Sequence, residues 1–296
     1  MIFIILKAIF LALFGLGVGL LFIGIGRIVT AKVQLRVGPP FYQQFIDVFK
    51  LLARRSIYHH WIMVLGSIMA LGGLIATILH VPFAGWLPYD SGGPIFLVLY
   101  LATIGYLGMA MGVSASGNPN APLGIGRALT LMLGYEIPFA AIIILFAGLA
   151  DSTMISDIVL KQSGGILNWN LFKFPLAYIA VEISVQAMMA EKPFDQMIAP
   201  SEIASGPLVE MAGKFLGLGM LQMAAAVFFE TALVVNLFFG GASNPIIFVL
   251  KQFVVYLIAI LINAVMPRYK IENAVLYLWT VPLGLIILQM IIVYMI

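Results

Sequence analysis

The chain has 296 residues, contains no cysteine and is poor in charge. Without cysteine it can form no disulfide, no iron–sulfur ligation and no thiolate metal site. The three histidines, His59, His60 and His80, do not supply a pair of axial haem ligands at matched depth on facing helices. No nucleophile–base arrangement, glycine-rich phosphate loop or metal-ligand spacing occurs. The sequence therefore predicts no catalytic, cofactor-binding or metal-ligating residue in this chain.

The scarcity of charge also excludes a soluble protein. Charged residues make up 9% of the chain, hydrophobic residues 63%, and the mean hydropathy is +1.12, whereas soluble domains carry about 25% charge. Apolar runs of roughly 20 residues, the length that crosses a bilayer, can be drawn at about 3–26, 62–83, 94–114, 128–149, 173–190, 215–239, 246–266 and 275–296. The first run is too long for a cleaved signal peptide. We predict an all-α polytopic protein with eight transmembrane helices in one integral membrane domain, residues 1–296.

The basic residues are distributed unequally between the two sides of this predicted bundle. One side holds eleven of the Lys and Arg residues and the other side four. Because basic loops stay in the cytoplasm, we predict a multi-pass protein of the cell membrane with both termini outside. The net charge of +3 follows this rule and gives no reason to expect nucleic acid binding.

Five of the twelve acidic residues lie within one short stretch of the chain: Glu182, Glu191, Asp195, Glu202 and Glu210. Charges near lipid cost several kcal/mol each, so such a cluster indicates a functional site. Most of it falls in a loop at about 191–214, which the charge distribution places on the cytoplasmic side.

Three carboxylates lie inside predicted spans. Glu136 and Glu182 are each nine residues from a charged residue at the end of their helix, which is about 13 Å, and Glu230 lies deeper. A buried carboxylate can protonate, and several in a row can pass a proton along. The alternative is a neutral carboxyl that joins helices by a hydrogen bond. For three such residues feeding one acidic loop, we favour the relay.

The first loop contains a predicted surface helix at about 41–54. Its polar residues Gln43, Asp47, Lys50 and Arg54 recur at spacings of four, three and four, while apolar residues take the other face. This pattern is typical of an amphipathic helix at the membrane surface. It fits either a lipid anchor or a lid over a cavity.

Three arginines, Arg27, Arg36 and Arg127, lie near helix ends on the predicted cytoplasmic side. They can extend their side chains to the headgroups, or they can neutralise acids of the loop and lower the pKa of those carboxyls.

Four stretches match one known family in order along nearly the whole chain. They are RIVTAKVQLRVGP with Arg27 and Arg36, LGIGRALTLMLGYEI with Arg127 and Glu136, EKPFDQMIAPSEIASGPLVEM with Asp195, Glu202 and Glu210, and PRYKIENAVLYLW with Arg268. The pattern resembles the heel subunit of respiratory complex I, the NADH dehydrogenase subunit 1 family. The resemblance implies eight helices and redox centres that lie in partner subunits.

The chain departs from complex I at several acidic positions. Two glutamates usual after the Pro-Phe-Asp are replaced by Ile198 and Pro200, and a glutamate before the first arginine is replaced by Gly26. The acidic residue that complex I has in its sixth helix aligns with Gln222 or Met223 of this chain, and Glu230 follows about two turns later. These losses thin the polar lining where complex I admits quinone, so the resemblance points to the energy-converting membrane-bound [NiFe] hydrogenases and the related sulfur-reducing complexes.

What the resemblance implies is a membrane-anchoring and energy-coupling subunit, itself non-catalytic, of a ferredoxin-linked, ion-translocating redox complex. Its partners would be membrane lipid, peripheral iron–sulfur and large catalytic subunits, small membrane subunits and antiporter-like subunits. Iron–sulfur clusters, and in the hydrogenases a nickel–iron centre, would reside in those partners. Asp47, Lys50 and Arg268 would join the three arginines above in charge pairing and docking. The rival interpretations are a quinone-site subunit, a stand-alone secondary transporter and a passive anchor.

Overall fold

The computed structural model describes residues 2–56, 59–86 and 93–295. Within these ranges the chain is helical, and β structure is limited to two isolated bridges. The α-helices, numbered here α1 to α12, are Ile2–Val33, Gln43–Leu52, Trp61–His80, Ile95–Ser114, Asn120–Ala150, Ile155–Leu160, Asn170–Lys173, Pro175–Met188, Pro200–Ile203, Lys214–Phe238, Pro245–Val265 and Ile271–Met295.

Seven of these helices are long and apolar enough to cross a membrane: α1, α3, α4, α5, α10, α11 and α12. The fifth predicted span is α8, which has only 14 residues and reaches about 21 Å at 1.5 Å per residue. The prediction of an all-α polytopic membrane protein is confirmed, with α8 shorter than a full span. Helix α5 begins at Asn120, before the predicted start at 128, because Asn118 accepts a hydrogen bond from its first backbone amide at 2.9 Å.

Successive spans run in opposite directions and therefore define two faces of the bundle. We call the face that carries α2 and residues 189–213 the loop face, and the opposite one the far face. The far face carries the short helices α6 and α7, which the sequence did not predict. There Gln162 donates to the carbonyl of Asn236 and accepts from the amides of Asn170 and Gly240, so one buried side chain ties this segment to the end of α10.

Helix α10 occupies the centre of the bundle. Every residue from Ala224 to Phe238 on it is buried, and it packs against α1, α2, α3 and α11. Helix α1 can approach closely because a Cβ at Gly19 would meet the backbone oxygen of Ala224 at 2.0 Å. Small residues at such contacts let helix backbones come together in a membrane. Glu230, on this central helix, is 1% exposed.

The surface helix lies at Gln43–Leu52, within the predicted range. It packs on α1 and α10, and its Val48 is buried against Leu20 and Ala224. Phe49, one of the apolar residues of this helix, is 69% exposed. Gln44 is buried instead and accepts a hydrogen bond from Arg27.

Candidate functional site

Two arginines outside the loop hold its central acids. The guanidinium of Arg268 donates to both oxygens of Asp195, at 2.7 Å each, and Arg127 donates to Glu202 at 2.7 Å. Arg268 also reaches Glu202 at 3.4 Å. The Arg127 hydrogen bond lowers the pKa of the Glu202 carboxyl, and the hydrogen bond to Asp195 raises the pKa of Arg268. These four side chains form a network of ion pairs, which we call the arginine clamp.

Glu210, at the other end of the loop, is held differently. It accepts a hydrogen bond from Ser116 at 2.6 Å and lies 3.4 Å from the Nε2 atom of His59. Three separate segments of the loop face therefore meet at this carboxylate.

Arg27 connects α1 to the surface helix. It donates to Gln44 at 3.1 Å and pairs with Asp47 at 3.3 Å, while Gln43 donates to the other oxygen of Asp47 at 2.8 Å. Arg36 and Lys50 are exposed, and neither forms an ion pair within the part of the chain that the structure describes. Of the six predicted docking residues, Arg27 and Asp47 therefore fix the surface helix, and Arg127 and Arg268 belong to the arginine clamp. Arg36, which precedes the surface helix, and Lys50, which lies on it, remain exposed.

Inside the membrane, Glu136 and Glu230 both bond to α4. The hydroxyl of Tyr106 donates to Glu230 at 2.5 Å, and Thr103, three residues earlier, donates to Glu136 at 3.4 Å. Because α5 begins seven residues before Arg127, each glutamate lies sixteen residues into its helix, about 24 Å. Each glutamate thus follows its helix start by the same number of residues, and the greater depth expected for Glu230 stays a prediction.

Glu182 is buried in α8, with 8% exposure. Its carboxylate makes no hydrogen bond of normal geometry in the described ranges and is approached by Tyr178, one turn earlier. The structure does not pair it with Glu136, although both helices pack together.

A cavity of about 250 Å³ lies beneath the surface helix. We call it the inner cavity. Its polar lining comprises Gln44, Tyr106, Tyr135, Glu191, Gln222 and Glu230, and seven methionines are part of its apolar lining. Methionine side chains are flexible and fill irregular space. The cavity therefore brings together the end of the acidic loop and the hydrogen-bonded pair of Tyr106 and Glu230.

Several groups in this site could not be recognised from the sequence. Tyr106 and Thr103 are single polar residues in an apolar helix, and Ser116 and His59 lie in segments with no motif. Only the approach of α4 to α5 and α10 gives Tyr106 and Thr103 their carboxylate partners.

Within residues 2–56, 59–86 and 93–295, no group of three or more His, Asp or Glu side chains is placed to hold a metal ion. What the fold and site define is a multi-pass membrane protein with a clamped charged loop above an apolar bundle that holds a few buried carboxylates.

The NADH dehydrogenase family matches residues 6–294 of the chain. The chain therefore belongs to the NADH dehydrogenase family, as a membrane subunit of the subunit 1 type, and the resemblance seen in its motifs is confirmed. In such complexes the redox centres lie in partner subunits.

The fold is also that of a chain in a solved structure titled "Structure of the membrane-bound sulfane sulfur reductase (MBS), an archaeal respiratory membrane complex". The two chains are 35% identical and superpose with a TM-score of 0.93, over 98% of this chain and 99% of the other. The similarity supports a membrane subunit of a respiratory-type complex, surrounded by partner subunits.

Proposed function

We propose that this chain anchors a peripheral redox module to the membrane and couples its reaction to ion translocation. In this proposal the module is ferredoxin-linked, of the sulfur reductase or hydrogenase type, and the ions pass through antiporter-like partner subunits. The observation that carries the proposal is the arrangement of acids: a clamped loop at the surface, bonded carboxylates within the bundle, and an inner cavity that Glu191 of the loop and Glu230 of α10 both line.

Docking would use the loop face. The exposed Arg36 and Lys50 and the exposed apolar side chains of Leu35 and Val37 are available there for a peripheral subunit. Leu35 has a left-handed backbone, with φ of 56°, and is 96% exposed. Exposed apolar side chains that lie close together mark surfaces where a partner binds.

Coupling would pass from the loop to the membrane interior. When the partner moves the loop, the arginine clamp changes its geometry, and the charge near the inner cavity changes with it. Glu230, Glu136 and Glu182 would then exchange protons or alter their hydrogen bonds, because the energy of a buried carboxylate depends strongly on nearby charge. Glu191, Asp195, Glu202 and Glu210 act at the loop end of the same path.

The test is to replace Glu136 and Glu182 singly by glutamine in the intact complex reconstituted into liposomes. Glutamine retains size and polarity but cannot carry a proton. We expect electron transfer between the soluble partners to remain and proton or sodium translocation to fall at least about tenfold. Asp151→Asn, an exposed carboxylate at the far-face end of α5 and away from the arginine clamp, is the control. Translocation at the wild-type rate in both variants would exclude the relay and leave a passive anchor.

The inner cavity supports a second candidate, a quinone-binding subunit. Its apolar lining under α2 can hold a small hydrophobic ligand. The cavity has fewer acidic residues than the quinone site of complex I, which weighs against quinone binding. Stimulation of the purified complex by added quinone, abolished by Met223→Trp in the cavity, would establish it.

A further inference from the structure

A groove of about 620 Å³, which we call the side groove, runs between α5 and α12 next to the loop-face ends of both helices. Its walls are mostly apolar, and Leu123, Leu276 and Trp279 are exposed in them. At Gly126 the wall is open, because a Cβ there would meet nothing within 4 Å. Trp279 bridges the two helices by donating its indole N–H to the carbonyl of Leu133 at 3.3 Å. Tryptophan is enriched where a membrane meets water, so the side groove lies at the depth of lipid headgroups and the first part of their chains.

The side groove continues into a polar recess of about 220 Å³. The two spaces share Arg127, Ile271 and Glu272 in their walls. The recess is lined further by Glu202 and Arg268, so it lies against the arginine clamp. An apolar groove that leads into a charged recess has the same division as a phospholipid, which joins apolar chains to a charged headgroup.

Most of the charge in the recess is already paired. Its two arginines are held by the acids of the arginine clamp. Lys270 and Glu272, on either side of the first residue of α12, are exposed and form no ion pair within the described ranges. The recess therefore offers one cation and one carboxylate that are both unpaired, which suits a headgroup that carries both signs of charge.

A buried acceptor lies in the wall of the same recess. Gln196 is 2% exposed, and its Nε2 donates to the backbone carbonyls of Pro193 and Tyr269 at 3.2 Å each. These two hydrogen bonds fix which end of the amide is the donor. Its Oε1 has no hydrogen-bond partner among the described residues. A buried polar atom without a partner is unfavourable, so a donor that enters the recess gains from pairing with it.

We propose that the side groove and the recess bind one phospholipid whose headgroup carries a phosphate and a primary ammonium. The phosphate pairs with Lys270 and with the free backbone amides of the first turn of α12, where the helix dipole favours an anion. The ammonium pairs with Glu272 and donates to Oε1 of Gln196. One lipid chain lies in the side groove against Leu123 and Leu276. The site is separate from the inner cavity and does not depend on the coupling function proposed above.

The headgroup chemistry separates this lipid from the others in a bilayer. A choline headgroup carries its charge on a trimethylated nitrogen and has no N–H to donate. A glycerol headgroup has hydroxyl donors but no positive charge for Glu272. A primary ammonium supplies both the charge and three N–H donors, so it alone satisfies Glu272 and Gln196 together.

The test places the intact complex in nanodiscs that contain phosphatidylethanolamine with a photoactivatable diazirine in one chain. After illumination, we expect mass spectrometry to find the lipid on peptides of this subunit that contain Leu123 or Leu276. Unlabelled phosphatidylethanolamine should compete at least about tenfold better than phosphatidylcholine or phosphatidylglycerol, because one charge-assisted hydrogen bond is enough for that ratio.

Gly126→Leu is the variant that fills the side groove. It should lower the labelling at least about tenfold, and it should fold normally because its side chain enters open space. Gly284→Leu on α12 is the matched control, since a Cβ at Gly284 also meets nothing within 4 Å and Gly284 does not line the groove.

Two further variants test the headgroup. Lys270→Gln should weaken labelling by every phospholipid, because the phosphate is common to them all. Glu272→Gln should retain labelling but lose the preference for ethanolamine over choline, because the ammonium loses its charged partner.

The results that would contradict the proposal are distinct. Equal labelling of Gly126→Leu and Gly284→Leu would show that no lipid occupies the side groove. Equal competition by the three headgroups would show that the recess does not recognise the ammonium. Release of a membrane partner subunit by Gly126→Leu, with no labelling in wild type, would make the groove a contact between subunits. None of these measurements uses ion translocation, so failure here leaves the coupling function untouched, and the glutamine variants of Glu136 and Glu182 leave the lipid site untouched.

Discussion

Arg268 binds both carboxylate oxygens of Asp195 at 2.7 Å, although the two residues are 73 positions apart in the chain. The side chains are 16% and 14% exposed. The pair fastens the acidic loop to the segment between α11 and α12, and Tyr269 reinforces it by donating its backbone amide to Pro193 at 3.0 Å. Several consequences can be measured.

Replacing Arg268 by alanine should destabilise the subunit by about 3 kcal/mol, because a mostly buried carboxylate loses its partner. Arg268→Lys should lose less, since it keeps the charge but not the two-pronged geometry. Thermal unfolding of the purified complex measures both, with the exposed Lys161→Ala as control. A lysine variant as stable as wild type would show that the paired geometry does not matter, and a loss as large as that of alanine would show that the charge alone contributes nothing.

The ion pair between Arg127 and Glu202, the second contact of the arginine clamp, should contribute much less to the stability of the subunit. Arg127 and Glu202 are 31% and 49% exposed, and exposed pairs contribute about 0.2 to 1 kcal/mol. A double-mutant cycle with Arg127→Gln and Glu202→Gln should give a coupling energy in that range, reduced further by high salt. A coupling above about 3 kcal/mol would contradict this ranking of the two contacts.

Acid should loosen the loop through Glu202. Its pKa is lowered in the folded protein, so its stabilising effect is present above its ordinary pKa and disappears as the pH falls through the lowered value. Proteolysis of the loop in the native complex should accelerate over that acidic range. The acceleration should be smaller in Glu202→Gln, because glutamine is neutral at every pH. If proteolysis of the variant had the same pH dependence as that of wild type, a group other than Glu202 would cause the acceleration.

The contact between α3 and α4 should tolerate no added methyl group at Gly66. A Cβ there would lie 2.3 Å from backbone atoms of Gly112. We expect Gly66→Ala to lower the stability of the complex by about 1 to 3 kcal/mol. Gly72→Ala is the matched control in the same helix, because a Cβ at Gly72 meets nothing within 4 Å. The same melting temperature for both variants would argue against close packing here.

Tyr106→Phe should impair translocation and leave assembly intact. The change removes only the hydroxyl that bonds to Glu230. Tyr100→Phe, on the same helix but 67% exposed, should behave as wild type. Ion translocation and electron transfer are both measured with the complex in liposomes. If Tyr106→Phe and Tyr100→Phe translocate ions at the same rate, the hydrogen bond from Tyr106 to Glu230 has no part in coupling.

The helices were predictable because membrane spans need about 20 apolar residues in succession. That rule located all seven long helices, with α1 running past its predicted end and α5 starting before its predicted start. It could not show that α8 stops at Met188 or that α5 extends back to Asn120, since backbone capping and packing, rather than hydropathy, decide where a helix ends.

The sequence by itself determined the class of protein, the positions of the spans, the acidic loop and the family, because each depends on local composition or on a motif of neighbouring residues. Only the tertiary structure decided which acids are clamped and which are free. Asp195 meets Arg268 and Glu230 meets Tyr106, whereas the Glu191 carboxylate lines the inner cavity and forms no hydrogen bond or ion pair within the described residues. These relationships join residues of different helices, and their geometry depends on how the backbones pack around α10.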